Sequence, residues 1–244
     1  MNPKLQALAK GIKSNPYEAS GDIYHPLPFP EFQDLTTSSD ARSAYRKWAL
    51  VKNCLPLRSS FSNPRVLDIG ANAGFYAFNF AKLGAIVDAY EPHKHYATIG
   101  HQIVEATGLS VRWYNKKLER TDLLDKQYDI ALMLSVFQWI SEGDSHIDRA
   151  TDLLRLVASS SRVLIFELGC NHGKSAIHTE ERPIVWIWRL LQQNTSPKRV
   201  AYLGQITPWG RARRYIFACA EDLIKLNIWQ RLITYVLQHQ WVWK

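Results

Sequence analysis

Two glycines and two carboxylates in the first half of the chain are spaced for work on an adenosine-bearing ligand. Residues 65–78 read RVLDIGANAGFYAF: a short apolar strand carrying Asp68, a turn with Gly70 and Gly74, and the start of an apolar helix. Glycines lack a Cβ, so a ligand can lie against the backbone, and the loop feeds a helix N-terminus. Twenty-one residues past Gly70, a second strand from Ile86 to Tyr90 ends on Glu91. A carboxylate there can accept from two ribose hydroxyls in charge-assisted hydrogen bonds. The glycine spacing is G-x-x-x-G, whereas a nicotinamide fingerprint asks for G-x-G-x-x-G.

These residues need a scaffold, and the pattern around them supplies one. Strands are expected at 65–69, 86–90, 111–114, 128–134 and 162–167, alternating with helices near 73–83, 93–107 and 144–158. Such alternation indicates a parallel sheet with helices on both faces, and the unbroken apolar run IALML fits a doubly buried strand. Before this core, residues 14–39 are rich in Pro and Ser and read as an extended arm or lid. A helix over 41–55 follows, with Ser39 or Asp40 as its N-cap. After the core come a helix from Pro183 to about Gln193, strands at 199–206 and 213–220, and a closing helix over 221–242. In that last helix Asn227, Gln230, Arg231, Thr234 and Gln238 recur every three to four positions, so it is amphipathic.

Composition narrows the class. The 244 residues are 46% hydrophobic and 21% charged, ordinary for a globular protein of this size. No apolar run approaches the roughly 18–20 residues that span a bilayer, and the N-terminus lacks the apolar core of a secretory signal. Cys54, Cys170 and Cys219 lie far apart with no CxxC pair, so reduced, buried thiols in a cytoplasmic protein are expected and a metal site is not. The charge is uneven. Residues 1–181 hold 20 basic and 20 acidic residues, while 182–244 hold 10 basic and 2 acidic, the whole of the net +8. Six of the nine tryptophans (Trp186, Trp188, Trp209, Trp229, Trp241, Trp243) fall in that last segment, so this end is the one suited to an anionic partner.

The loop DIGANAG resembles motif I of class I S-adenosylmethionine (SAM)-dependent methyltransferases. The resemblance implies an α/β, Rossmann-like fold: a seven-stranded, mostly parallel sheet with helices on both faces, an N-terminal arm and an extra C-terminal helix. It implies SAM as cofactor, with Asp68 under the methionine part, Gly70, Ala71, Asn72, Gly74 and Phe75 forming the loop, and Glu91 and Pro92 at the ribose. YDIALMLSVFQWI, residues 128–140, is similar to the family's fourth motif and would place Leu134, Ser135 and Val136 along the cofactor, Asp129 being structural. RVLIFELG, residues 162–169, matches the fifth strand. Asn115, Lys117 and Leu118 are all candidates for the adenine contact, Leu118 through its backbone. Arg46 would meet the SAM carboxylate, with Arg42 and Lys47 as competitors. The implied organisation is an arm and lid helix over 1–55, a SAM-binding domain over 56–220 and an amphipathic helix over 221–244, packed on the domain or extending it.

The LSVFQWI stretch is also similar to those of O-antigen chain-terminating and RNA 5′-phosphate-capping methyltransferases, and Gly74-Phe75-Tyr76 resembles the segment of FkbM-type sugar O-methyltransferases. Gln138 and Trp139 stand where the O-antigen group carries two histidines. None of these likenesses fixes the acceptor; the expected one is an oxygen of a glycan or small molecule. A hydroxyl acceptor gains from a base. Glu167 and His172 are the candidate catalytic residues, with Tyr24 and His25 available from the arm. In the basic end, Arg189, Lys198, Arg199, Arg211, Arg213 and Arg214 could hold RNA phosphates while tryptophans stack on bases, which makes an RNA methyltransferase the second reading. The same segment could instead lie on a membrane surface, or its apolar face could pack on the sheet and support a homodimer. A SAM-fold scaffold protein without turnover is the non-enzyme alternative.

Overall fold

The strand Arg65–Ile69 (β1) begins at a half-buried arginine and then buries four residues in a row, including Asp68. It pairs in parallel with β2 (Ile86–Tyr90), setting Asp68 opposite Ala89 and Ile69 opposite Tyr90, and β2 pairs in parallel with β3 (Val111–Tyr114). The computed structural model describes residues 1–14, 23–35, 41–55, 63–173, 175–208, 212–221 and 224–239. The chain gathers into two units, residues 1–48 with 62–118 and residues 49–61 with 119–244.

In the first unit the strands run in the order β3-β2-β1. Between β1 and β2 lies helix α3 (Phe75–Ala81), shorter than the 73–83 expected. Gly74 has φ 102° and cannot be a helical residue, so the helix starts after it. Six of the seven residues of α3 are buried, which its sequence FYAFNFA requires. The next helix, α4 (Lys94–Thr107), stops at Gly108, whose left-handed backbone returns its N–H to Val104 O at 2.8 Å. A wedge joins these parts. A Cβ added to Gly100 of α4 would lie 2.4 Å from the Trp113 ring, and one on Gly74 3.0 Å from the same ring. Glycine at both positions lets the indole of β3 sit between the helix and the loop.

The chain opens on a helix ahead of the expected arm. Helix α1 (Pro3–Ser14), absent from the sequence reading, buries Leu5, Ala9 and Ile12, one stripe at helical spacing. Asn2 ties it down, its side-chain amide donating to Ala106 O at 2.7 Å and its backbone N–H to Glu31 at 2.6 Å. Of residues 23–35, Ile23, Leu27, Phe29, Phe32 and Leu35 are buried, and Phe29 packs edge-on against Phe78 of α3. Residues 15–22 and 36–40, including the proposed caps Ser39 and Asp40, lie outside the described residues.

Helix α2 (Ala41–Cys54) runs from the first unit into the second. The second unit carries strands β4 (Tyr128–Leu134), β5 (Ser161–Leu168), β6 (Arg199–Ile206) and β7 (Arg214–Ala220) in the order β4-β5-β7-β6. β4 and β5 are parallel, and β7 runs antiparallel to both of its neighbours. The helices are α5 (Phe137–Ile140), unforeseen in the sequence, α6 (Ile147–Ser159), α7 (Pro183–Asn194) and α8 (Ile228–Gln238). Helix α6 begins three residues after the expected Asp144, whose side chain meets His178. Helix α8 begins seven residues after the expected Glu221. Its start is a reciprocal capping box in which Asn227 accepts from Gln230 N and the Gln230 side chain accepts from Asn227 N. Among the described residues the three strands of the first unit are parallel, those of the second are parallel but for β7, and the helices between them give each unit the α/β, Rossmann-like character expected. Cys54, Cys170 and Cys219 are free and buried, and burial raises each thiol to about 12.

Candidate active site

The glycine loop is built on one carbonyl. Gly70 N and Ala71 N both donate to Tyr90 O, at 2.8 and 3.0 Å, which fastens the exit of β1 to the end of β2. Gly74 N then closes the turn on Ala71 O at 2.9 Å. Gly70, Asn72 and Gly74 all have positive φ, at 70°, 53° and 102°. Asparagine tolerates that region better than most side chains. Phe75 follows fully buried, edge-on to Tyr45 of α2 at 5.2 Å between centroids.

Glu91 is held by backbone. Its Oε2 accepts from Asn72 N and its Oε1 from His93 N, both at 2.8 Å. Asn115, one of the adenine candidates, donates its side-chain amide to Glu91 O at 3.0 Å and so braces the same turn. Leu118 is buried, while Lys117 and Pro92 are exposed. Burial raises the Glu91 pKa, and the two N–H donors pull the other way. Asp68 is more extreme: burial, then the nearby Glu91 charge, push its carboxyl up to about 7. Asp68 Oδ2 and Asn72 Oδ1 are buried with no hydrogen-bond partner among the described residues.

The cation that α2 turns inward is Lys47, not Arg46. Arg46 is exposed, whereas Lys47 is buried with Nζ 5.7 Å from the Tyr76 ring centroid. Neighbouring helix positions point about 100° apart, so a one-residue difference decides which side chain reaches the core. From the arm, His25 sits 5.9 Å from Tyr76 and 6.2 Å from Phe75, ring to ring, with Tyr24 edge-on to it at 4.6 Å.

In the second unit, β4 ends on the half-buried Leu134, Ser135 and Val136. Ser135 has φ 58°, and its hydroxyl donates to Glu167 Oε2 at 2.9 Å while accepting from Arg214 Nη1 at 2.8 Å. Gln138 Nε2 donates to Ser135 O at 2.8 Å, and its Oε1 is buried without a partner among the described residues. Trp139, next in the same helical turn, is 65% exposed. Glu167 is fully buried, so its carboxylate works on Ser135 rather than on a molecule arriving from solvent.

One pair escaped sequence reasoning. After β5 the chain turns at Asn171, whose side chain accepts from Thr179 N and donates to Thr179 O, closing the loop. That closure presents His178 to Asp144: the backbone N–H donates to Oδ1 at 2.9 Å, and the ring Nδ1 lies 2.6 Å from Oδ2. The His178 contacts hold the Asp144 pKa below its usual value. The residues are 34 apart, and no local pattern announces them. His172 is exposed on the same loop.

Asp68, Asn72 and Glu91 offer acceptors and negative charge, and SAM brings a sulfonium, an ammonium and two ribose hydroxyl donors. The residues present fit that group.

Comparison with known proteins agrees. Residues 66–156 match a family model described as a methyltransferase domain. No curated protein matches the chain. Among solved structures, the bifunctional kinase-methyltransferase WbdD superposes with a TM-score of 0.70 at 16% identity, covering 89% of this chain and 47% of that one. The chain therefore spans about half the length of WbdD. The N-terminal domain of EvdMO1 with SAH bound superposes with a TM-score of 0.59 at 13% identity, covering 90% and 96%. The same domain in the presence of SAH and D-fucose gives 0.58 at 13% identity, again covering 90% and 96%. At such identities the likeness is one of fold. Residues 66–156 of the chain therefore carry a methyltransferase domain.

Proposed function

Because the chain carries that domain, we propose that it methylates a hydroxyl oxygen of a glycan or related small molecule, with His178 as general base. The observation that carries this reading is the Asp144–His178 pair. A hydroxyl acceptor must lose a proton of high pKa, whereas a phosphate oxygen is already an anion and needs no base. With Nδ1–H donated to Asp144, the neutral imidazole keeps its Nε2 lone pair outward, on an exposed side chain. SAM, when bound, supplies a methyl on a sulfonium sulfur, which departs neutral as the acceptor oxygen takes the methyl.

The chain's own residues share the remaining work. Asp68 and Glu91 hold the cationic and ribose parts of SAM, the loop from Gly70 to Phe75 gives close backbone approach, and Leu118 lines the adenine side. In the second unit, Glu167 and Arg214 fix the end of β4 through the Ser135 hydroxyl. Lys47 takes the role expected of Arg46 at the SAM carboxylate. Trp139 offers an open aromatic face on which a sugar ring can stack, beside the unpartnered Gln138 Oε1. The EvdMO1 structure with SAH and D-fucose supports a sugar-like acceptor by analogy of fold. The RNA reading loses ground because three of its cations are engaged: Arg189 with Glu181, Lys198 with Glu221, and Arg214 with Ser135.

The test is methyl-labelled SAM with fractionated lysate, separated into lipid-linked glycan, small-molecule and RNA pools, followed by NMR of the labelled product. A methyl ether on a saccharide is expected. Label in RNA, or a methyl resonance coupled to phosphorus, would overturn the hydroxyl reading. Titration with SAM on the same preparation reports separately whether the donor site works.

A further inference from the structure

Helix α8 is inside out. Its polar residues face the protein: Thr234 Oγ1 accepts from Tyr202 N at 3.0 Å, and Gln230 Nε2 donates to Leu203 O at 2.7 Å. They cap main-chain groups of β6, the last strand in the order β4-β5-β7-β6, with Leu237 buried beside them. The opposite face is apolar and open. Ile228 is 77% exposed, Trp229 70%, Leu232 50%, Tyr235 58% and Val236 51%. Their spacing, i, i+1, i+4, i+7 and i+8, is that of a single helical stripe. Eleven large hydrophobic residues are well exposed among the described ones, and five of them belong to this helix of 11 residues. Scattered exposed apolar side chains need no explanation, but a contiguous stripe marks a surface that meets something.

Charge selects the occupant. Lys225 and Arg231 are exposed beside the stripe, and from residue 224 to 244 the sequence contains three cations and no carboxylate. A second copy docked by two-fold symmetry would bring these cations against their own kind, with no acid there to offset them. An anionic lipid surface meets both demands: phosphates for Lys225 and Arg231, and the acyl boundary for Ile228, Leu232 and Val236, with Trp229 and Tyr235 at headgroup depth. Eleven residues of helix extend only about 16 Å, so α8 would lie in the plane of the interface. No helix among the described residues is long and apolar enough to cross a membrane.

We propose that α8 is a peripheral docking helix for anionic membrane, its apolar stripe buried among the headgroups. This sets it apart from the apolar-face-inward packing that amphipathicity ordinarily implies. It also suits an acceptor that is itself held at a bilayer, although the docking does not depend on the nature of that acceptor.

The experiment is co-sedimentation of the full chain with vesicles of phosphatidylcholine alone and with 30% phosphatidylglycerol (a composition of roughly cellular anionic charge), at low and high salt. Wild type should bind the anionic vesicles, weaken in high salt, and bind neutral vesicles less. Trp229→Glu with Leu232→Glu should lower partitioning by about 10-fold or more. Both side chains point to solvent, so the melting temperature and SAM affinity should stay unchanged. Equal binding by wild type and variant, or no preference for anionic lipid, would overturn the proposal. So would a wild-type dimer without vesicles that the variant abolishes, which would assign the stripe to a second copy. None of these outcomes bears on methyl transfer, which is read separately in detergent-free solution.

Discussion

Asn72 donates its backbone N–H to Glu91 Oε2 at 2.8 Å, so one carboxylate fixes the glycine loop and ends the strand beside it. Glu91 also accepts from His93 N, which leaves the remaining lone pairs of both oxygens for a ligand. The loop and the end of β2 are therefore one construction. A change at Glu91 should disturb both the fold of residues 70–74 and the affinity for SAM.

Glu91→Gln tests that coupling. An amide can accept at only one end, so the N–H of either Asn72 or His93 loses its partner, and a hydrogen bond to a charged group is worth about 1.5–3 kcal/mol. The SAM dissociation constant should rise about 10- to 100-fold by calorimetric titration. A dissociation constant within twofold of wild type would remove Glu91 from the site.

Asp68 makes stability depend on pH. Its folded pKa of about 7 lies above the ordinary 3.8, chiefly through burial, so the native state binds the proton more tightly than the unfolded chain does. The stabilisation is complete below about pH 4 and is lost as pH rises through 7. Asp68→Asn mimics the protonated form. Its melting temperature relative to wild type should climb by roughly 5 °C between pH 5 and pH 8 without SAM. A cationic ligand favours the ionised carboxylate, so SAM binding near pH 6.5 should release a proton, read from calorimetry in two buffers of different ionisation enthalpy. Parallel pH curves for variant and wild type would contradict the assignment.

What could be read from the chain was whatever depends on near neighbours. Gly70, Gly74 and Glu91 stood out because a strand, a glycine turn and a second strand place them within one local unit, and all seven expected strands came out within one residue of their bounds. Faces and distant pairs did not. Periodicity showed that α8 has a polar side, but not that β6 would claim it for unsatisfied backbone groups. Asp144 and His178 meet only because Asn171 closes a loop on Thr179, a fact of tertiary geometry. Arg46 and Lys47 differ by one position, and only the packing of α2 determines which of them turns inward.

Trp113 should couple two distant glycines. Gly100→Ala would set a methyl 2.4–2.5 Å from the indole, which already abuts Gly74 at the foot of the loop. Overpacking of this kind costs about 1–3 kcal/mol, so the melting temperature should fall by roughly 3–10 °C. Because the indole must shift toward the loop, SAM affinity should fall as well, although Gly100 is not proposed to touch the ligand. Trp113→Leu in the same protein should recover part of both losses, a non-additivity that independent sites would not show. If Gly100→Ala changed stability and left SAM affinity alone, the wedge would be structural only.

The base assignment stands or falls on His178. His178→Ala should leave SAM binding intact and lower kcat by about 10²- to 10⁴-fold on a hydroxyl acceptor, with little change in KM, because the lost group handles a proton rather than holding substrate. Asp144→Asn should give a smaller loss, since the imidazole remains but neither its tautomer nor its charge is supported. His25→Ala is the necessary companion, because the arm sets His25 against Phe75 and Tyr76 beside the loop. If His25→Ala lowers kcat by this amount and His178→Ala does not, the base comes from the arm and the Asp144–His178 pair serves only to hold its loop closed.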